Sequence, residues 1–304
     1  ATSTLYFALA RLITLDMPVS VLLTAALLSF LLGTREPAGG TRRLFFWGFF
    51  AFSGLAVMTK GLIGIVFPGM IIFLWMLVTN EWRVLKSMHL LSGMVIFLAI
   101  SAPWHIMVSR ANPEFFDFYF IREHFQRYLT KVHHHYKPVW FFIPIALGGL
   151  FPWSVFLVQA IRHSLPASWK ERHRHKEAIF LLLWAGLIFL FFSASSSKLI
   201  PYILPVLPPL ALLIGKYLAD AWNELRPWGF RMGLILYSAV SALLACGLFL
   251  AHRFAPAAGT PGMTIIRWTI VSCLLLGIIA AWTAPGKNPV FRAIVYITFC
   301  CSFL

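Results

Sequence analysis

The chain has 304 residues, of which 60% are hydrophobic and only 12% are charged, whereas soluble domains carry about 45–50% apolar and about 25% charged residues. A mean hydropathy of +0.82 and apolar stretches of about 20 residues indicate a membrane protein. The net charge of +15 is explained by basic loops that contact anionic lipid headgroups. Because the chain has no soluble domain, this charge gives no basis for predicting a nucleic-acid partner.

Apolar segments recur along the whole chain. Each is apolar around its full circumference, and the alternation typical of a β-barrel is missing, so the segments are predicted to be helices. We therefore expect an all-α fold, a polytopic transmembrane helical bundle in which residues 1–304 form a single transmembrane domain. Since the chain begins with Ala1 and stops inside an apolar run, we expect a fragment of a longer protein. The predicted spans lie near 17–33, 44–58, 62–79, 90–109, 139–161, 178–195, 200–219, 232–251, 268–284 and 293 onward, with 4–14 as the tail of an earlier one.

The loops between these spans differ in charge on the two sides of the membrane. One alternate set holds 15 of the 25 Lys and Arg residues, and the positive-inside bias assigns this set to the cytoplasm. The opposite set then faces outward. The basic set comprises 34–43, 80–89, 162–177, 216–231 and 285–292; the other comprises 59–61, 110–137, 196–199 and 252–267.

Three charged residues lie at the outer ends of predicted spans: Asp16, Lys60 and Lys198. Charged groups at membrane depth are costly and tend to pair or line a cavity, so their position on one face predicts a polar site there. Simpler interpretations remain open. Asp16 can cap the helix that begins beside Pro18, and the two lysines can be snorkelling anchors.

The segment 113–128 alternates aromatic and charged residues at helical spacing, which predicts an amphipathic helix lying in the outer interface. It carries Arg122, His124 and Arg127. His124, surrounded by acids, is the better candidate for a metal ligand than His133–His135, because consecutive histidines on a regular helix cannot converge on one ion.

The segment 193–209 combines a hydroxyl-rich turn, Lys198 and a run of prolines around Tyr202. Prolines at this density predict a broken helix that is buried in protein or lines a cavity. Tyr202 is thus expected at the cavity rim, where its hydroxyl can donate to an anionic group.

These motifs resemble the membrane glycosyltransferases of the GT-C superfamily, in the branch of the protein O-mannosyltransferases and, more closely, the aminoarabinose transferases that act on lipid A. The resemblance runs in order over about residues 5 to 215 and implies a GT-C type bundle with a periplasmic interfacial helix. It rests on Arg11–Pro18, Thr59–Gly61, the loop from Pro103 through Pro113 to Arg127, and Ser195–Pro205.

The resemblance implies an inverting transfer of a sugar, such as 4-amino-4-deoxy-L-arabinose, from an undecaprenyl phosphate carrier to lipid A or another lipid or glycan acceptor. The site then faces the periplasm from the bacterial inner membrane. Lysines and arginines would stabilise the departing phosphate, while a carboxylate takes the acceptor's proton. The family's first acidic motif is expected in an outer loop ahead of Ala1, which makes Asp16 the second carboxylate.

We predict Asp16 as the catalytic carboxylate of this chain and Lys60, Arg122, His124, Arg127, Lys198 and Tyr202 as substrate-binding residues. No cofactor is required by this interpretation. His124 has two open roles, binding the phosphate or holding a divalent cation. The competing class is a transporter or lipid flippase, which predicts charges near the midplane of several helices and repeat symmetry.

Overall fold

The computed structural model of the chain describes residues 2–115, 137–195, 197–221, 228–254 and 261–283, and every regular element in them is helical. The chain divides into two compact units: a larger unit of residues 8–146 and 165–210, and a smaller unit built from the rest. The α-helices are α1 Thr4–Leu9, α2 Asp16–Arg35, α3 Gly40–Lys60, α4 Ile63–Thr79, α5 Val84–Ser87, α6 Leu90–Ala111, α7 Phe142–Leu150, α8 Leu157–Ser164, α9 Lys176–Ala194, α10 Leu207–Ala221, α11 Trp228–Phe254 and α12 Pro261–Thr283. Short 3-10 helices cover Val139–Phe141, Trp153–Phe156, Trp169–Arg174 and Ile200–Val206.

Six of the described helical segments are long and apolar enough to cross a membrane, and a bent pair over 139–164 raises the number to seven. The expected multi-pass helical bundle is therefore confirmed. The predicted spans at 44–58 and 62–79 are helical, as α3 and α4, but neither is among the six. α4 is too short, with 17 residues. α3 is less apolar because it carries basic residues in its first and last turns. The six are Asp16–Arg35, Leu90–Ala111, Lys176–Ala194, Ile200–Ala221, Trp228–Leu250 and Gly262–Thr283.

The prediction of one continuous span over 139–161 is wrong. The segment is broken at Phe151–Pro152 between α7 and the following 3-10 helix. Pro152 has no N–H to donate and its ring clashes with the preceding turn. The carbonyl of Phe151 instead accepts from the backbone N–H of Thr4 at 3.2 Å and from its hydroxyl at 2.9 Å.

The core of the larger unit is an aromatic cluster around Phe30 of α2. The Phe30 ring stacks on Phe180 of α9 with centroids 5.5 Å apart and meets Trp75 of α4 edge-on at 5.6 Å. Phe46 and Phe49 of α3 close the other side at 6.1 and 5.9 Å. Aromatic pairs of this geometry add about 0.5–1.5 kcal/mol each beyond the area they bury, so the four helices are held as one body.

Three of the basic loops meet at one end of the larger unit. Arg35 and Glu177 form an ion pair at 2.7 Å, Lys176 pairs with Glu81, and the Arg42 guanidinium donates to the Ser87 hydroxyl at 2.6 Å. These contacts join loops 34–43, 80–89 and 162–177, which the charge bias assigned to the same side. The 21 residues of α3 then carry the chain about 30 Å, to Lys60 at the opposite end.

The smaller unit is built mainly on α11. Phe156 stacks on Phe230 with centroids 5.5 Å apart, and the Trp282 indole of α12 donates to the Ser238 hydroxyl at 2.9 Å. A cluster of Ala245, Val271 and Leu274 fills the contact between α11 and α12.

Candidate active site

An ion pair joins two of the sequence-predicted site residues directly. The Lys60 ammonium, at the last residue of α3, donates to Oδ1 of Asp16, in the first turn of α2. The two side chains are 27% and 18% exposed, so the pair is partly screened from water and still accessible. The alternative in which Asp16 caps α2 is wrong: the N-cap position is Leu15, and no side chain caps this helix.

The position of Lys60 is fixed by a tight turn that two glycines permit. Gly61 ends α3 with φ 79°, a left-handed conformation that favours glycine. Three residues on, a Cβ on Gly64 would lie only 2.4 Å from the backbone nitrogen of Val57. α4 therefore starts directly against the last turns of α3, and the Lys60 side chain points away from that contact toward α2.

Tyr202 completes a three-residue cluster with this ion pair. The Lys60 ammonium lies 4.5 Å from the centroid of the Tyr202 ring, a cation–π distance. Behind it, the ring of Phe192 packs on Tyr202 with centroids 5.2 Å apart, and Phe67 packs on Phe192 at 5.6 Å. Asp16 and Tyr202 thus contact the same lysine from two elements.

The prolines explain where Tyr202 lies. Residues 200–206 form a 3-10 helix that becomes α-helical only at Leu207, in agreement with the predicted break of regular helix geometry. Pro201 and Pro205 cannot donate to an α-helical ladder, so the tighter winding persists through Tyr202. The segment packs on α9 and α2.

Lys198 is buried, with only 3% of the residue exposed. Its ammonium donates to the carbonyl of Ser195 at 2.5 Å and to that of Lys137 at 3.1 Å. Burial lowers the pKa of Lys198 below its ordinary value of 10.5, because the charged form loses hydration. The side chain is therefore not a snorkelling anchor: it ties the turn before Tyr202 to the segment that precedes α7.

The structure brings Asp16, Lys60 and Tyr202 into contact and places Lys198 four positions before Tyr202 in the same connection. Arg122, His124 and Arg127, with almost all of the predicted interfacial helix, lie outside the described residues. In the part of the chain that the structure describes, no three His, Cys, Asp or Glu side chains come close enough to hold a metal ion. The metal role of His124 stays a prediction.

Sequence reasoning grouped these residues on one face but missed two contacts. It did not predict that Asp16 and Lys60 pair directly, since 44 positions separate them. It also missed the Lys137 carbonyl, because a backbone acceptor has no signature in the sequence.

The known proteins that this chain resembles in sequence are described as glycosyltransferases. Residues 1–107 match the family model described as dolichyl-phosphate-mannose-protein mannosyltransferase. The undecaprenyl phosphate-alpha-4-amino-4-deoxy-L-arabinose arabinosyl transferase 1 of Proteus mirabilis is 30% identical over 299 residues, which are 95% of this chain and 50% of that protein. The corresponding transferase of Pectobacterium carotovorum subsp. carotovorum is 32% identical over 281 residues, 88% of this chain and 48% of that protein.

The fold agrees with the sequence matches. The crystal structure of ArnT from Cupriavidus metallidurans bound to undecaprenyl phosphate superposes with a TM-score of 0.82 and 29% identity, covering 99% of this chain and 54% of that one. The apo structure of the same protein gives a TM-score of 0.79 and 30% identity. This chain has the membrane-embedded helical fold of the GT-C type, as the motifs predicted. Its sequence is similar to those of the undecaprenyl phosphate-aminoarabinose arabinosyl transferases, and it spans about half the length of the relatives it matches.

Proposed function

We propose that the protein containing this chain is an inverting membrane glycosyltransferase. It moves 4-amino-4-deoxy-L-arabinose from undecaprenyl phosphate to lipid A or a related envelope acceptor, at the periplasmic face of the bacterial inner membrane. The observation that carries the proposal is the Asp16–Lys60–Tyr202 cluster, which lies at the end of α3 opposite to the basic loops. The relatives' names supply the sugar and its carrier.

In this proposal the cluster binds the phosphate of the donor. Breaking the bond between sugar and phosphate develops negative charge on the departing oxygens, and a fixed cation lowers the energy of that state. Lys60 is the cation best placed, because Asp16 holds its ammonium from one side and the Tyr202 ring from another. Asp16 serves catalysis by orienting Lys60, so that little reorganisation is needed when the charge develops.

Lys198 supports the same anion site in a second way. Two of its three N–H donors already go to backbone carbonyls, which leaves one for a phosphate. Removing the side chain would both delete a positive charge and release the segment at Lys137, which follows the loop carrying Arg122, His124 and Arg127. Those three residues lie outside the described residues and stay predicted substrate-binding residues.

The transporter alternative is weaker. It requires charged side chains near the middle of several helices. In the described part of the larger unit, the Asp, Glu, Lys and Arg residues of the helices lie in their first or last turns, as with Asp16, Lys60 and Lys176. That distribution favours a site at a membrane surface over a pathway across it.

Transfer can be measured with the full-length protein in membranes, supplied with undecaprenyl phospho-aminoarabinose and lipid A, by the mass gain of the lipid A product. Wild type is expected to give the product, and Lys60→Ala is expected to give none at equal abundance in the membrane. Lys176→Ala is the matched control, since Lys176 is also ion-paired but at the opposite end of the unit. No product from wild type with this donor, or equal product from Lys60→Ala, would overturn the proposal.

A further inference from the structure

A cavity of about 240 Å³ lies inside the larger unit between α3, α4, α5 and α6, and neither Asp16 nor Lys60 lines it. Its walls include Phe50 of α3, Gly69 of α4 and Phe97 of α6, and Ser53 supplies its one polar side chain. It is somewhat smaller than the pockets of about 300–1,000 Å³ that hold whole small-molecule ligands. Size and lining therefore suit a single hydrocarbon chain.

The cavity opens at the apolar surface of the unit. The lining residues Ile65, Leu90 and Met94 are exposed. Along α4 the wall runs from Ile65 to Met76, about 16 Å at the helical rise. A Cβ added to Gly69 would meet nothing within 4 Å, so the space beside this glycine is open.

One end of the cavity lies among cations. Leu85 and Met88 line it, and the exposed Lys86 lies between them in α5. The Arg42 guanidinium donates to the hydroxyl of Ser87 at 2.6 Å, which holds the start of α3 against α5. Arg43 is exposed at the same end.

The side chains around this rim are anchored rather than loose. The Arg43 guanidinium stacks on Trp47 at 4.9 Å, and the Trp47 indole donates to Ser92, at the start of α6, at 2.9 Å. Glu81, the acid on the same loop, is already paired with Lys176. The rim thus offers positive charge to an anion positioned above an apolar chain.

We propose that this cavity binds one acyl chain of an anionic glycerophospholipid, with the lipid phosphate held by Arg43 and Lys86. The lipid comes from the leaflet on the basic side, which the charge bias assigns to the cytoplasm. Two observations together support the proposal: the apolar cavity can bind the acyl chain, and the cations at its mouth favour an anionic headgroup. The site lies at the opposite end of α3 from the Asp16–Lys60 pair and does not depend on the transferase activity.

The test uses the full-length protein in neutral detergent, titrated with phosphatidylglycerol or with phosphatidylethanolamine of the same acyl chains. A ligand that binds only the folded state raises Tm with its concentration. Phosphatidylglycerol is expected to raise the wild-type Tm more than phosphatidylethanolamine. Gly69→Leu, which fills the open space, should lose most of the shift with either lipid, while Gly186→Leu, a helical glycine equally open but outside the cavity, should keep it.

A second variant, Arg43→Ala combined with Lys86→Ala, tests recognition of the lipid headgroup. Both changes are on the surface, so this test can still be made if Gly69→Leu does not fold. Each cation is expected to contribute about five-fold to binding of the anionic lipid, so the preference for phosphatidylglycerol should disappear while transfer activity is retained. Equal shifts from both lipids in wild type, or a full shift in Gly69→Leu, would overturn the proposal. So would displacement of bound phosphatidylglycerol by undecaprenyl phosphate in native mass spectrometry, because the cavity would then belong to the donor's tail.

Discussion

Lys60 and Asp16, 44 positions apart in the sequence, form an ion pair that joins the end of α3 to the first turn of α2. A helix N-terminus favours a carboxylate in its first turn, and Asp16 is thus stabilised by α2 as well as by the lysine. Because both side chains keep some exposure, a charged substrate can reach the pair without unfolding either helix.

The ion pair predicts that substitutions at Asp16 and Lys60 have non-additive effects on the free energy of unfolding. Asp16→Asn and Lys60→Met should each lower stability, and the double variant should lose less than the sum of the two, since one interaction is removed in both. Hydrogen bonds to charged groups contribute about 1.5–3 kcal/mol, and the partial exposure of this pair favours the lower end. Thermal unfolding of the four proteins in detergent measures the coupling; additive losses would contradict a direct pair.

Gly64 predicts a packing effect on the site. Gly64→Ala would place a methyl group 2.4 Å from the Val57 nitrogen, and the backbone must shift to accept it. Overpacking of this kind costs about 1–3 kcal/mol, and transfer should fall as well, because Lys60 lies on the displaced turn. Gly69→Ala, in the same helix with nothing within 4 Å, is the control and should retain both stability and activity.

Much of this arrangement follows from the sequence because membrane insertion restricts the possibilities. A span must be helical, and the loop charges fix which helix ends lie on the same side, so the sequence alone assigns Asp16, Lys60 and Lys198 to one face. The contacts at that face could not be assigned. Whether Lys60 meets Asp16 or water depends on how α2 packs on α3, and that packing depends on side-chain shapes far from the motif, such as Phe30 against Phe49.

The broken span over 139–161 shows the same limit. Composition makes this segment apolar throughout, and Pro152 inside it can either kink a helix or end it. The structure ends the helix here, and the Phe151 carbonyl accepts hydrogen bonds from Thr4 of α1. Because Thr4 is far from Phe151 in the sequence, the residues around Phe151 do not predict this contact.

The burial of Lys198 predicts a pH dependence of stability. Its native pKa is lowered, so between that pKa and 10.5 the unfolded chain binds more protons than the native one, and stability rises with pH. As pH falls through this interval, the free energy of unfolding decreases, because the buried Lys198 amine must take up a proton and become charged. Unfolding of wild type should therefore become harder relative to Lys198→Met as pH increases toward 10.5; parallel pH profiles would contradict the burial.

The open role of His124 predicts a response to chelation. If His124 holds a divalent cation, a chelator should lower wild-type activity, and His124→Gln should be insensitive to it. If His124 binds the phosphate, the same change should weaken donor binding without any chelator effect. Neutral imidazole is needed for a metal and the charged form favours phosphate, so acid should harm the first role and help the second. Normal donor affinity and rate in His124→Ala would exclude both roles.

Binding of undecaprenyl phosphate to the full-length protein tests the central claim, that Lys60, held by Asp16 and Tyr202, binds the carrier phosphate. The affinity should fall at least about ten-fold in Lys60→Ala, corresponding to about 1.4 kcal/mol, and Lys60→Arg should restore it only in part, since a planar fork does not replace a compact ammonium. Lys176→Ala should bind as wild type does. Equal affinity of wild type and Lys60→Ala for undecaprenyl phosphate would contradict the account.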